Sequence, residues 1–172
     1  MIFIYILAGI LILLLIVAAT LPSKYHVEKS VIISRPVPAV KEKVTDLGNY
    51  AKWNPWQQMD PAASKRITGN PGAPGHRYEW EGKKVGTGSL TLTDNGDHHA
   101  GFDLEFIRPW KAKARDSWNF EDWGDNGTKV TWQNTGNLPF PTARLMGPML
   151  NKNLNKQFIT GLDNLKKMCE EC

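Results

Sequence analysis

Apolar and polar residues alternate along this chain with two different periods, and one stretch does not alternate at all. Residues 1–21 carry no charge, and 19 of these 21 are apolar, Gly9 and Thr20 being the exceptions. A helix over that run is about 30 Å long, which matches the hydrocarbon thickness of a bilayer. From Tyr25 to Ser34, Val27, Val31 and Ile33 share one face of a predicted strand, which Arg35-Pro36-Val37-Pro38 breaks. Val40, Val44 and Leu47 then share one side of a predicted helix over Ala39–Leu47, ended by Gly48. Asn49–Trp56 reads as a second short helical or turn piece closed by Asn54-Pro55.

From His76 to Gly136 the period is two. Phe102, Leu104 and Phe106 oppose Asp103 and Glu105; Tyr78 and Trp80 oppose Arg77, Glu79 and Glu81. Ala112, Ala114, Trp118 and Phe120 oppose Lys111, Lys113, Arg115 and Asn119, and Val130 and Trp132 oppose Lys129, Thr131 and Gln133. Turns are predicted at Glu81–Lys84, Asp94–Asp97, Arg108–Trp110 and Gly124–Gly127. Such alternation, with one wet face, describes an antiparallel meander covered on one side. The cover is Thr142–Met168, where Leu150, Leu154, Phe158, Leu162 and Leu165 recur at three- and four-residue spacing. Pro148 marks the start or a kink of that helix, and Gly161 lets its backbone approach the sheet.

Composition refines this picture at three points. The chain has 172 residues, 41% apolar, with 21 basic and 17 acidic residues and a net charge of +4. No run of five like charges exists, so a nucleic-acid footprint is not read from it. No basic residue precedes the apolar run, whereas Lys24, Lys29, Arg35, Lys41 and Lys43 follow it. Val17-Ala18-Ala19 could serve as a signal cleavage site, but the run is too long and its start too uncharged for a signal peptide. One transmembrane helix over residues 1–21 is preferred, with Tyr5 and Tyr25 at the headgroup zones and the remaining residues 22–172 on the cytoplasmic side. Cys169 and Cys172 sit at a predicted helix C-terminus beside two glutamates, which suits terminal thiols better than a redox or zinc motif.

The order of strand, two short helices, about six strands and one long helix resembles that of the START-like (SRPBCC, polyketide cyclase/dehydrase-like) superfamily. Leu21-Pro22-Ser23-Lys24-Tyr25-His26-Val27, Tyr50-Ala51-Lys52-Trp53-Asn54-Pro55-Trp56, Asp103-Leu104-Glu105-Phe106-Ile107, Gly127-Thr128-Lys129-Val130-Thr131-Trp132 and Leu138-Pro139-Phe140-Pro141 look like its membrane-anchored bacterial-type members. The resemblance implies an α+β helix-grip fold, in which a curved antiparallel sheet grips the long C-terminal helix around a ligand-sized apolar cavity. Relatives bind lipids, sterols or other hydrophobic molecules, and some cyclise polyketides.

Within that frame Trp53, Trp56, Tyr78, Trp80, Phe102, Phe106, Trp118 and Trp132, with Leu154 and Phe158 from the helix, are the candidate cavity wall. The same residues could instead simply fill a core, and volume decides between the two. Asp116 and Asn134 are polar on the inner parity, as is His76. Buried polar groups need partners, water or a ligand, so these residues are candidates for orienting a polar end of the ligand; the alternative is a strand end that returns them to solvent. His76 with Asp116 is the one conceivable acid/base pair, and His98-His99 reads as exposed. No motif for a metal or cofactor is present. The favoured reading is a non-catalytic, membrane-anchored domain binding a small hydrophobic ligand or lipid. The alternatives are a polyketide cyclase/dehydratase-type enzyme using the same cavity, and a stress-response or interaction module.

Overall fold

A computed structural model describes residues 2–171. Helix α1 (Ile2–Thr20) is followed by strand β1 (Lys24–Ile33) and three short helices, α2 (Val37–Thr45), α3 (Leu47–Trp53) and α4 (Pro55–Met59). Six strands follow: β2 (Ser64–Thr68), β3 (Arg77–Gly82), β4 (Gly86–Asn95), β5 (His99–Arg108), β6 (Ala112–Trp123) and β7 (Gly127–Asn137). Helix α5 (Thr142–Glu170) closes the chain. The seven strands form one sheet in the order β1-β7-β6-β5-β4-β3-β2, with every neighbouring pair antiparallel. This is the α+β helix-grip arrangement, with α5 lying across the sheet's inner face.

Local chemistry explains the three short helices. Asp46 separates α2 from α3: its N–H bonds to Glu42 O, and its Oδ1 accepts from Gly48 N at 2.8 Å. Helix α2 therefore ends before Gly48, which lies in the first turn of α3 rather than closing the preceding helix. Asn54 caps α4 by accepting from Gln57 N at 2.9 Å, and Pro55, which lacks an N–H to satisfy, takes the first helical position. The patch Trp53-Asn54-Pro55-Trp56 is thus two helix ends joined by one cap.

Strand β2 lies outside the alternation read from the sequence. It is an edge strand, Ser-Lys-Arg-Ile-Thr, exposed along nearly its whole length. Pairing with β3 holds it, and it buries no face that could imprint a pattern. At Gly161 of α5, a Cβ would sit 2.9 Å from Trp132 Cζ3 and 3.2 Å from Pro55 Cδ. Only glycine lets the helix lie this close to the sheet and to α4. Helix α1 touches α5, and Ala18 is fully buried there, while the rest of α1 stays exposed.

Candidate functional site

The interior divides into two unequal halves. In one, rings fill the space. Trp132 stacks on Phe158 with centroids 3.8 Å apart and on Trp118 at 4.6 Å, while Trp53 meets both indoles edge-on at 5.8 and 6.0 Å. Val40, Val44, Leu47, Phe120, Leu162 and Leu165 complete this packed half.

Register then shows how the other half opens. Across β6 and β7 the inward pairs run Phe120–Val130, Trp118–Trp132, Asp116–Asn134 and Ala114–Gly136, and Ala112 follows opposite Phe106 of β5. From Trp118–Trp132 onward side-chain volume falls along that series: two indoles, two short polar groups, then a methyl and a glycine, with the Ala112 methyl beyond. Tyr25 of β1 leans over Gly136, where an added Cβ would lie 2.5 Å from its ring. The close approach at Gly161 holds α5 against Trp132 and Pro55 on the packed side, and the sheet surface retreats from the helix beyond it. A cavity of about 1080 Å³ results between the sheet and the N-terminal half of α5. Its walls include Trp56, Tyr78, Trp80, Leu104, Phe106, Ala112, Ala114, Leu138, Met146, Leu150, Leu154 and Phe158. Its volume suits a ligand of drug or lipid-tail size.

The floor, where hollow meets packed, is polar. Asp116 and Asn134 are buried, at 4% and 3% exposure, and Asn134 Nδ2 donates to Asp116 Oδ1 at 2.6 Å. Burial pushes the Asp116 carboxyl up to about 6, against a smaller opposing pull from Asn134 and the Trp132 indole. The Trp132 Nε1 has no hydrogen bond of good geometry, and Asn134 Oδ1 is likewise buried without a partner. Tyr25 and Tyr50 also line the cavity, and neither hydroxyl has a hydrogen-bond partner among the described residues. Burial first, and the Asp116 charge second, push Tyr25 up to about 12 and raise Tyr50 in the same direction. Burial raises Tyr78 as well, and its hydroxyl donates to Gln57 Oε1 at 3.0 Å. The floor therefore gathers a carboxyl, an amide oxygen and two phenols that an incoming polar group could complete.

The residues expected to form the wall separate cleanly. Trp56, Tyr78, Trp80, Phe106, Asp116, Asn134, Leu154 and Phe158 all line the cavity. Trp53, Phe102, Trp118 and Trp132 face inward but do not line it; they are buried to 2% exposure or less in the packed half and its border. His76 is not at the cavity. Its Nε2 accepts from Leu47 N at 3.0 Å and its Nδ1 donates to Thr68 O at 3.0 Å, so it pins α3 to the β2–β3 connection and forms no pair with Asp116. Tyr25 lies at the cavity floor and not at the end of α1. His99 is exposed and bonded to Asp94 Oδ2 at 2.6 Å. Cys169 is buried in α5, and Cys172 lies outside the described residues.

Several cavity residues carry no mark in the hydropathy pattern, among them Tyr50, Leu138 and Met146. The usable signal was the run of small inward residues, Ala112, Ala114 and Gly136, beside large ones. A second, shallower depression of about 460 Å³ lies between α3 and the C-terminal end of α5, ringed by Lys52, Lys167 and Glu171. Among the described residues no group of three or more His, Cys, Asp or Glu could hold a metal ion.

The family model described as polyketide cyclase / dehydrase and lipid transport matches residues 24–170. No curated protein matches the chain by sequence. Among solved structures, the chain is similar to the Zhui aromatase/cyclase from Streptomyces sp. R1128, with TM-score 0.63 at 13% identity, covering 86% of this chain and 94% of that one. It is similar to the di-domain ARO/CYC BexL from the BE-7585A biosynthetic pathway, with TM-score 0.63 at 16% identity, covering 90% of this chain but 53% of that one. A structural-genomics protein from Chromobacterium violaceum matches with TM-score 0.61 at 13% identity, covering 87% and 98%. At these identities the structures speak for the fold alone.

Proposed function

This chain belongs to the polyketide cyclase / dehydrase and lipid transport family, and from that premise we propose that it binds one small, mainly apolar molecule, a lipid by preference, in the cavity under α5. The observation that carries this reading is a hollow of about 1080 Å³ with mainly apolar walls and the buried Asp116–Asn134 pair at its floor. Apolar burial along Trp80, Leu104, Phe106, Leu150 and Leu154 drives binding. The Asp116–Asn134 pair, with Tyr25 and Tyr50, receives the ligand's one polar end, because among the described residues Asn134 Oδ1 is buried without a partner and neither phenol hydroxyl is hydrogen-bonded. The two-part division is retained: residues 1–21 as a single membrane span and 22–172 as the binding domain. Helix α1 is 19 residues long with mean hydropathy 3.1, sufficient for a span. The basic residues that follow it favour a cytoplasmic domain.

The full chain in lipid nanodiscs, released and weighed by native mass spectrometry, tests the binding reading. One apolar adduct per chain is expected, weakened by Asp116→Ala and lost in Ala114→Phe. An adduct unchanged in Ala114→Phe, or none at all, sinks it. One observation favours a second reading, an acid/base enzyme of the cyclase type. Asp116, buried at the cavity floor with its carboxyl raised to about 6 and two phenols lining the same cavity, is suited to exchange a proton near neutral pH. Turnover of a carbonyl-rich substrate that disappears in Asp116→Asn would mark that reading; binding without turnover leaves the first.

A further inference from the structure

Outside α1, ten large apolar side chains are exposed among the described residues, and five of them crowd one place, the mouth of the cavity. Ile107 and Trp110, 51% and 62% exposed, stand on the β5–β6 hairpin. Phe140, 50% exposed, stands on the β7–α5 connection, and Met146 and Met149 on the first turns of α5. Ile107, Trp110 and Met146 also line the cavity, so the patch and the opening are one surface.

Cations are mixed into this patch. Arg108 and Lys113 are paired, with Glu81 and Glu105 at 2.5 and 2.7 Å. Among the described residues Lys84, Lys111 and Arg144 have no carboxylate within ion-pair distance, and Arg144 lies over the Phe140 ring at 5.6 Å. An indole, aliphatic side chains and unpaired cations on one exposed rim form a surface that the headgroup region of an anionic bilayer complements.

The chain also delivers the bilayer to the same place. Leu138, a cavity residue, donates its N–H to Ser23 O at 2.7 Å, and Lys24 pairs with Asn137, another cavity residue. Only two residues, Leu21 and Pro22, separate Thr20, the last of α1, from Ser23, so the two lie at most about 10 Å apart along extended chain. The α1 end is therefore anchored beside the opening and not at the far edge of the sheet, where Trp123 closes β6.

We infer that the cavity mouth docks onto the anionic surface of the very membrane that α1 spans, seating Ile107, Trp110, Phe140, Met146 and Met149 in the headgroup layer. The ligand then passes between lipid phase and cavity without crossing water. This rests on the reading of α1 as a membrane span. The tether supplies proximity, and the rim supplies the orientation that a flexible link alone lacks.

Full-length protein in nanodiscs containing a diazirine-bearing lipid tests it, with labelled residues mapped by mass spectrometry in anionic and in purely zwitterionic bilayers. Phe140 and Met149 do not line the cavity, so label there reports the bilayer and not a lipid held inside. Label is expected on α1 in both bilayers. On Phe140 and Met149 it should be several-fold stronger in the anionic bilayer, and it should be absent from Trp123. Lys111→Glu with Arg144→Glu should reduce rim label several-fold and leave α1 label unchanged. Label on α1 with none on Phe140 and Met149 overturns the docking while sparing the span. An unlabelled α1 removes the span and the docking with it. A rim protected by contact with a second copy, seen as rim-to-rim cross-links, overturns the docking as well.

Discussion

The two halves of the interior use the same sheet and the same helix and reach opposite results. In the packed half Trp53, Trp118, Trp132 and Phe158 share faces and edges at 3.8–6.0 Å and fill the space between sheet and helix. In the open half the same strands carry Ala112, Ala114 and Gly136, and α5 passes overhead without touching down. One half therefore holds the fold, and the other is free to hold a guest. Between them Asp116 and Asn134 are buried against each other, with Asn134 Oδ1 lacking a partner among the described residues, an arrangement that stability alone does not favour.

The largest effect should come from the packed half. Trp132→Ala removes the ring on which Trp118 and Phe158 stack and under which Gly161 nestles. A loss of about 3–5 kcal/mol is expected by urea unfolding. Leu154→Ala, at a wall of the open half, should lose far less, under about 2 kcal/mol, because part of its surface faces a void already. Equal losses at the two sites would erase the distinction.

Asp116 sharpens it next. Its folded-state value, about 6, lies above the ordinary 3.8. Stability that the protonated group contributes is therefore fully present below about pH 4, falls as pH rises through 4–6, and is gone above that. Asp116→Asn should accordingly stabilise the ligand-free protein at pH 7.5 by about 1–3 kcal/mol and change little at pH 3.5. The same variant should bind ligand more weakly at pH 7.5. Thermal unfolding across pH, run beside ligand titration, separates the two effects; a variant less stable at pH 7.5 contradicts the assignment of a costly buried carboxylate.

Smaller effects are expected at the open end. Ala114→Phe projects a ring into empty space and should shift unfolding by no more than about 1 kcal/mol while filling the cavity. A large loss would mean that the space is not there. Tyr25→Phe removes a hydroxyl with no hydrogen-bond partner among the described residues, and should cost under about 0.5 kcal/mol. Its effect should appear only in affinity for ligands with a polar end.

Much of this architecture was legible in the sequence, for a physical reason. Period-two runs such as Phe102, Leu104 and Phe106 must place one face inward, and the three- and four-residue spacing of Leu150 through Leu165 must build a helix to cover it. Strand β2 was not legible, because an exposed edge strand held by backbone pairing needs no apolar face. The site divided along a similar line. Inner parity singled out Asp116, Asn134 and His76 alike, yet His76 is satisfied by Leu47 and Thr68 while Asn134 Oδ1 has no partner. Parity reports that a group is buried and is silent on what it meets. Likewise it grouped Trp118 and Trp132 with Trp80 and Phe106, though the first pair stacks and the second faces a hollow. Volume along a strand, the fall from Trp118 through Asp116 to Ala114 and Ala112, distinguishes them, and a hydropathy pattern does not record it.

The division of the interior can be seen most directly by diffraction from crystals of the full chain pressurised with xenon, a probe that enters dry apolar voids. Xenon is expected in the space bounded by Ala114, Leu104 and Leu154, and nowhere among Trp53, Trp118 and Trp132. An open half without xenon or any other bound molecule, or xenon lodged between the stacked indoles, would contradict a sheet and helix that pack at one end and part at the other.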